Sequence, residues 1–388
     1  MGRPSAFPGL AALALLGAVS ALPLSAQDGP VMRSAYHDYR VETVADGLEN
    51  PWGMAFLPGG DLLITERPGR LRIVRDGQLL ADPVAGVPEV LAEGQGGLLD
   101  VVTHPDFATN RMLYLSYSKP VGDGATTAVV RGRFEGDRLS QVEELFEARS
   151  RGNGHYGSRI VFDDAGYMFV TIGDRQAPPR GNLAAHPAQD LSNHHGVVVR
   201  LHDDGRVPED NPFVGQEGAL PEIWSYGHRN PQGMAIHPGT GALWATEHGP
   251  QGGDELNLIQ SGLNYGWPVV GYGVNYRSGT AIHEATQAEG MESPLHVWVP
   301  SIGTSGLAFY TGDRFPEWRG NAFAGGLSGA QIARLTFDGD QVVAEETLLL
   351  GVGRVRDVRQ GPDGLLYVAL DGRGGATTAV VRMVPTGN

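Results

Sequence analysis

Six times along this chain a short apolar strand runs into a turn rich in Asp, Gly or Pro and returns as a second apolar strand. The copies begin at Trp52 (WGMAFLPGGDLLITE), Leu98 (LLDVVTHPDFATNRMLYLSYS), Ser158 (SRIVFDDAGYMFVTIGD), Gln232 (QGMAIHPGTGALWATEHG), Gly306 (GLAFYTGDRFPEWRGNAFAGGL) and Val355 (VRDVRQGPDGLLYVALD). Each has the signature of a β-hairpin, and the distance to the next leaves room for two further strands and a loop. Such a unit cannot bury its apolar face alone. Radial repetition of four-stranded sheets buries it, so the expected fold is all-β, a six-bladed β-propeller over residues 41–388. The two widest intervals, from Ser158 to Gln232 and from Gln232 to Gly306, imply inserted loops in the third and fourth units. Insertions of this kind gather on one face and often carry function. One segment, residues 254–260 (DELNLIQ), reads as a short helix.

The N-terminus reads as an export signal: Arg3, then a mostly apolar run over residues 10–24, then Leu24-Ser25-Ala26 as a small-residue cleavage site. Residues 1–26 are expected to be removed, leaving a short extension (residues 27–40) before the propeller, in a periplasmic or secreted protein. The apolar run contains Pro23 and is shorter than the ~20 residues that a spanning helix needs, and no later segment approaches that length, so no span is expected in the mature chain. The chain has no cysteine, which excludes disulfides, thiolate chemistry and cysteine-ligated zinc. A formal charge of −15, with no basic run to offset it, argues against nucleic acid as a partner.

Chemistry therefore has to come from the loops. In the third unit, residues 152–159 (GNGHYGSR) set His155 among glycines just before a strand, where an imidazole on a flexible approach can take a proton near neutral pH. The same unit runs out into Asp174, a carboxylate that can orient that imidazole or cap a turn. The fourth unit opens with Trp224-Ser225-Tyr226-Gly227-His228-Arg229-Asn230-Pro231-Gln232, whose arginine and amide suit a planar ligand bearing carboxylates or carbonyls. It closes with Glu247-His248-Gly249-Pro250-Gln251-Gly252-Gly253-Asp254-Glu255. There, freely turning backbone and two carboxylates offer oxygen ligands of the calcium type, although the same composition makes a solvated acidic turn. Asn193-His194-His195-Gly196 is read as strand, on which adjacent histidines point to opposite faces and cannot share a zinc ion. Arg354 and Arg356 alternate, so both emerge on one face at the start of the sixth unit. In so acidic a chain that points to an anionic partner, or to ion pairs with nearby acids.

In order along residues 41–384, Gly94-Gln95-Gly96-Gly97-Leu98-Leu99, His155 with its glycines, Ile172-Gly173-Asp174, Gly227-His228-Arg229-Asn230-Pro231, Gly249-Pro250 through Asp254-Glu255, Asn264-Tyr265-Gly266-Trp267-Pro268 and Arg354-Val355-Arg356-Asp357 resemble the soluble sugar dehydrogenases that depend on pyrroloquinoline quinone (PQQ), the glucose/sorbosone dehydrogenase family. The resemblance implies oxidation of an aldose at C1 to a lactone, with electrons passed on to an external acceptor. It makes His155 the general base and Asp174 its support. It places a calcium ion (Ca2+) at the main-chain carbonyls of Gly249 and Pro250, and a second, structural calcium at Glu255 and Tyr265. Gln95, Arg229, Asn230, Ser301, Arg354 and Arg356 then match cofactor-contacting positions, and a quinone with three carboxylates suits the arginines. Two departures stand out. Ser328, in Gly326-Leu327-Ser328-Gly329, replaces a lysine of the glucose-oxidising members. The loop before Pro300-Ser301 is short and lacks their tyrosine and tryptophan, so the broader aldose-oxidising branch is the closer likeness. Two other readings fit the repeats: a calcium-dependent lactone hydrolase, and a non-catalytic binding propeller.

Overall fold

Each expected hairpin forms the inner half of a four-stranded antiparallel sheet, and there are six such sheets among the described residues. The structure is a computed structural model and describes residues 30–374 and 376–387. The proposed export signal lies outside those residues. The innermost strands are Pro51–Phe56, Leu98–Thr103, Ile160–Phe162, Pro231–Ile236, Thr304–Phe309 and Arg354–Gln360. Each touches the innermost strands of the blades before and after it, so the six form a closed ring around one axis.

The ring is closed by pairing between the first and last strands of the described residues. Tyr39–Glu49 pairs with Thr377–Pro385, from Tyr39 opposite Pro385 to Glu49 opposite Thr377, and so supplies the outermost strand of a sixth blade otherwise built from the last three strands. Radial packing leaves only short inner edges, sheltered at the axis.

Middle strands such as Leu62–Glu66, Met168–Ile172 and Val197–Leu201 are buried at every position, because both faces of each sheet pack on neighbouring blades. Outermost strands such as Gln341–Leu348 are largely exposed. The core accordingly lies between blades. One cluster joins Leu63 and Ile73 of the first blade to Val101, Leu115 and Val130 of the second; another joins Trp244 and Leu256 of the fourth to Leu307, Phe309 and Ala324 of the fifth. Each such side chain contributes about 1.5–3 kcal/mol by leaving water.

Two sequence expectations are corrected. Residues 254–260 are not helical: Asp254–Ile259 is the third strand of the fourth blade, paired with Leu243–Glu247 on one side and His296–Trp298 on the other, and those partners override a local helix preference. His194 and His195 lie in a turn rather than on a strand. His194 contacts Glu222 and accepts from the Arg149 N–H, while His195 turns to Asn193, so the two rings serve separate local contacts.

The long insertion of the fourth blade, residues 260–295, leaves from the end of the blade opposite to Arg229 and His248. It then climbs beside the third blade's outer strand, with Gly262 N–H donating to Trp224, Tyr265 N–H to Tyr226 and Trp267 N–H to Gly227. It thereby delivers its residues to the same face as the other inserted loops.

At the axis the inner strands carry, in blade order, Gly53, Asp100, Arg159, Gly233, Gly306 and Asp357. Arg159 is 1% exposed and bonds Asp100 at 2.9 Å and Asp357 at 3.2 Å; Arg359 bonds the same two carboxylates at 3.2 and 3.0 Å. The glycines are required by space: a Cβ at Gly53 would meet Asp100 Oδ1 at 2.7 Å, and one at Gly306 would meet Asp357 Oδ1 at 2.3 Å. Removing one partner of a buried ion network leaves the rest uncompensated. Arg159→Met should therefore lower the urea-unfolding free energy by roughly 3–5 kcal/mol; an unchanged midpoint would show that the network is dispensable.

Candidate active site

In an antiparallel blade, the start of the innermost strand and the end of the second strand lie at the same end. That geometry gathers Gln95, His155, Arg229, Asn230, Ser301, Arg354 and Arg356, which enter or begin inner strands, with Asp174, Gly249 and Pro250, which follow second strands. In five of the six inner hairpins the pairing register slips at this end, between Pro51 and Met54, Leu98 and Val101, Pro231 and Gly233, Thr304 and Leu307, and Val355 and Asp357. Bulges re-aim side chains. Trp52, Gln232 and Arg356 sit in these irregularities and line one cavity of about 560 Å³ with Gln95, His155, Arg229, Asn230, Gly249, Pro250, Ser301 and Arg354.

His155 Nδ1 lies 2.5 Å from Asp174 Oδ1, and Asp174 Oδ2 accepts from the Trp267 indole N–H at 2.7 Å. The His155 N–H donates to Gln95 Oε1 at 2.8 Å, and Arg175 donates to the His155 carbonyl at 2.6 Å while its other nitrogen reaches Thr127. The backbone here is held by several hydrogen bonds. His155, Arg175 and Gln176 all have positive φ (47°, 56° and 58°), a region uncommon for side-chain-bearing residues and typical of overdetermined sites. The glycines beside His155 provide clearance: a Cβ at Gly152 would meet Arg175 Cβ at 3.0 Å, and one at Gly154 would meet the Gln176 amide at 2.5 Å.

Among the described residues His155 Nε2 has no protein partner, and the ring lines the cavity. Burial, and after it the Arg229 guanidinium, hold the imidazole below its ordinary value against the pull of Asp174. Burial alone would raise the Asp174 carboxyl, but the imidazole, Arg229 and the Trp267 donor hold it below the usual carboxylate range. Both directions describe one state at neutral pH: an anionic Asp174 accepting from Nδ1–H, and an Nε2 lone pair free to take a proton.

Four arginines, Arg67, Arg229, Arg354 and Arg356, line the large cavity against two carboxylates, Asp254 and Asp371. Arg354 and Arg356 do share a face, and both reach Asp371 Oδ2, at 3.4 and 3.2 Å. Asp371 cannot neutralise both. Among the described residues neither the Arg67 nor the Arg229 guanidinium has a carboxylate within 4.0 Å, and the Nε atoms of Arg354 and Arg356 are buried without partners. Asp254 is taken up by the Gly249, Gly303 and Thr304 N–H groups. The cavity is thus cationic in a chain of formal charge −15, and its donors suit a ligand with several carboxylates. Asn230 uses its carbonyl on Gly157 N–H, and the Ser301 hydroxyl is buried without a hydrogen-bond partner of ordinary length. Ser328 lies on the same wall and donates to the Ser301 carbonyl at 3.3 Å.

Neither the Gly249 nor the Pro250 carbonyl accepts a hydrogen bond among the described residues, so two oxygens on the cavity wall are unclaimed. No cluster of three or more His, Asp or Glu side chains gathers among those residues, so a cation here would rest on main-chain oxygen. At the second position a cavity of about 20 Å³ lies between Glu247, Glu255 and Tyr265. Burial and the neighbouring Glu247 push the Glu255 carboxyl up to about 8, a strain that a cation would relieve. The Tyr265 hydroxyl is committed to Leu258 and Gln260, which leaves its carbonyl as the available ligand.

Sequence reading missed Arg67, His248, Trp52, Gln232 and Asp371. Arg67 and His248 each directly follow a second strand, as Asp174 nearly does, so alignment of the repeats contained the signal. Asp371 needed the pairing of Arg354 opposite Asp371.

A sequence model of the family described as Glucose / Sorbosone dehydrogenase matches residues 48–381. The chain belongs to that family. It is 47% identical over 342 residues to the aldose sugar dehydrogenase YliI of Escherichia coli, covering 85% of this chain and 90% of that one. A crystal structure titled glucose dehydrogenase superposes with a TM-score of 0.84 at 47% identity, covering 89% of this chain and 99% of that one. The PQQ-bound form of an aldose sugar dehydrogenase from Streptomyces coelicolor superposes with a TM-score of 0.71 at 28% identity, covering 89% and 98%. Among the described residues no helix is long and apolar enough to cross a membrane.

The His155 geometry carries a pH expectation. NMR titration of the apoprotein should place the His155 midpoint below 6.5, and Arg229→Gln, by removing a neighbouring positive charge, should raise it. A wild-type midpoint at or above 6.5 would overturn the reading of a neutral base.

Proposed function

We propose that this protein oxidises aldose sugars at C1 to lactones, with PQQ and calcium bound in the large cavity, and passes the electrons to an external acceptor. The observation that carries the reading is the pairing of a free His155 Nε2, backed by Asp174, with a cavity of four arginines facing two carboxylates. Residues 1–26 serve as the export signal in this reading, and the mature protein works in the periplasm or outside the cell.

His155 takes the proton of the sugar's C1 hydroxyl at Nε2, and Asp174, fixed by Trp267, stabilises the imidazolium as it forms. Gln95 and Arg175 hold the His155 backbone so that the imidazole presents that nitrogen to the cavity. Arg67, Arg229, Arg354 and Arg356, with Asn230 and Ser301, hold the cofactor's carboxylates and carbonyls, while Gly249 and Pro250 carbonyls hold calcium. When bound, the quinone supplies the two-electron acceptor for the C1 hydride, and calcium polarises its carbonyl. Glu255 and Tyr265 hold a second calcium that stabilises the fold.

Apoprotein supplied with PQQ and calcium should reduce an artificial acceptor in an aldose-dependent manner, and His155→Ala should lower kcat by ~10²–10⁴-fold while still binding the quinone. A lactone hydrolase would instead open lactones without the quinone. No aldose oxidation over a broad sugar panel would end the proposal. Arg356→Gln should weaken PQQ binding roughly 10- to 100-fold in an absorbance titration, the loss of one charge-assisted contact; unaltered affinity would remove Arg356 from the site.

A further inference from the structure

A second compartment of about 440 Å³ opens beside the arginine-lined cavity and shares Gln95, His155, Arg229, Pro250 and Tyr276 with it. Its character differs. Apart from Arg229 and the His155–Asp174 pair it presents no charged side chain; its walls are the amides of Gln95, Gln176 and Asn275 with Trp267, Tyr276 and Ile282. Neutral hydrogen-bonding groups beside aromatic rings match a neutral ligand rich in hydroxyls, not a polyanion.

Tyr276 stands out within it. The residue is 60% exposed, packs against no other ring, and its hydroxyl makes no hydrogen bond among the described residues. Its backbone, by contrast, is held in place. It occupies the tip of a small hairpin closed by the Val274–Ala281 bridge and by Asn275 N–H donating to the Thr280 carbonyl at 2.9 Å. That hairpin is seated on the Gly249–Pro250 loop. Val274 and Gln251 exchange backbone hydrogen bonds at 3.0 and 3.1 Å, and a Cβ at Gly273 would meet Pro250 Cγ at 2.6 Å. An exposed aromatic side chain with no ring partner, at the junction of two cavities, offers a stacking surface to a ligand.

We infer that Tyr276 is a specificity-determining residue, whose ring stacks on the C–H face of the aldose while C1 points to His155. The inference rests on the reading of the protein as an aldose dehydrogenase and deepens it. The sugar is gripped by the fourth blade's insertion, through a hairpin resting on the loop that carries Gly249 and Pro250.

The test uses protein loaded with PQQ and calcium and the non-oxidisable ring 1,5-anhydro-D-glucitol, which lacks the reacting hydroxyl. Saturation-transfer NMR should show the ring C–H protons contacting wild type and Tyr276→Phe, with roughly five- to tenfold weaker binding in Tyr276→Ala. KM for D-glucose should rise by the same factor in Tyr276→Ala with kcat within about twofold, while the PQQ titration is unchanged. Equal sugar binding by wild type and Tyr276→Ala, an equal loss in Tyr276→Phe, or no sugar binding at all would overturn the inference. Sugar binding that depends on Tyr276 without oxidation of any aldose would leave it standing and sink the proposed activity instead.

Discussion

The ionic cross-link at the axis is the constraint on which the rest of the molecule depends. Six sheets converge on one line, and the side chains that point there must share a space too small for six large residues. Three glycines give way, two aspartates and one arginine fill the gap, and Arg359 supplies the second cation. The network joins the second and third blades to the sixth, which is distant from them in sequence. Arg159 also lies over the Trp52 ring at 4.4 Å and donates to the Gln232 carbonyl. Both residues form part of the cavity lining, so the fold's central ion network and the floor of the site are one structure.

Above that floor, charge is distributed unequally. Asp371 draws Arg354 and Arg356 together without cancelling them, and Gln232 accepts from Arg356 at 2.7 Å while also meeting His248. Burial, and then Arg229, hold His248 well below its ordinary value, so this histidine is a neutral spacer rather than a further cation. The result is a preorganised set of donors whose self-repulsion is tolerated because core burial between the blades stabilises the ring around them.

The blades were legible because a hairpin signature is local: all six innermost strands lie at or within two residues of the expected starts. The contact between His155 and Asp174 was legible for a similar reason, since strand polarity places the start of one strand beside the end of the next. What escaped was non-local. The strand at Asp254–Ile259 is set by its two neighbours and not by its own residues, and Trp267 reaches Asp174 only because an insertion climbs between blades. The glycines around His155 looked like a licence for movement. They also provide the clearance that lets Arg175 and Gln176 pack against the backbone, a contact between segments about 20 residues apart.

The pairing of Tyr39–Glu49 with Thr377–Pro385 has a consequence for biogenesis. The strand Tyr39–Glu49 has no sheet partner until residues 377–385, more than 300 positions later, have been made, because its sheet is completed by that strand. Five blades can assemble as they emerge, but the circle, and with it the axial ion network that includes Asp357 and Arg359, waits for the sixth. A chain so organised stays open during synthesis, and becomes a closed ring only once the strand Thr377–Pro385 is free to pair.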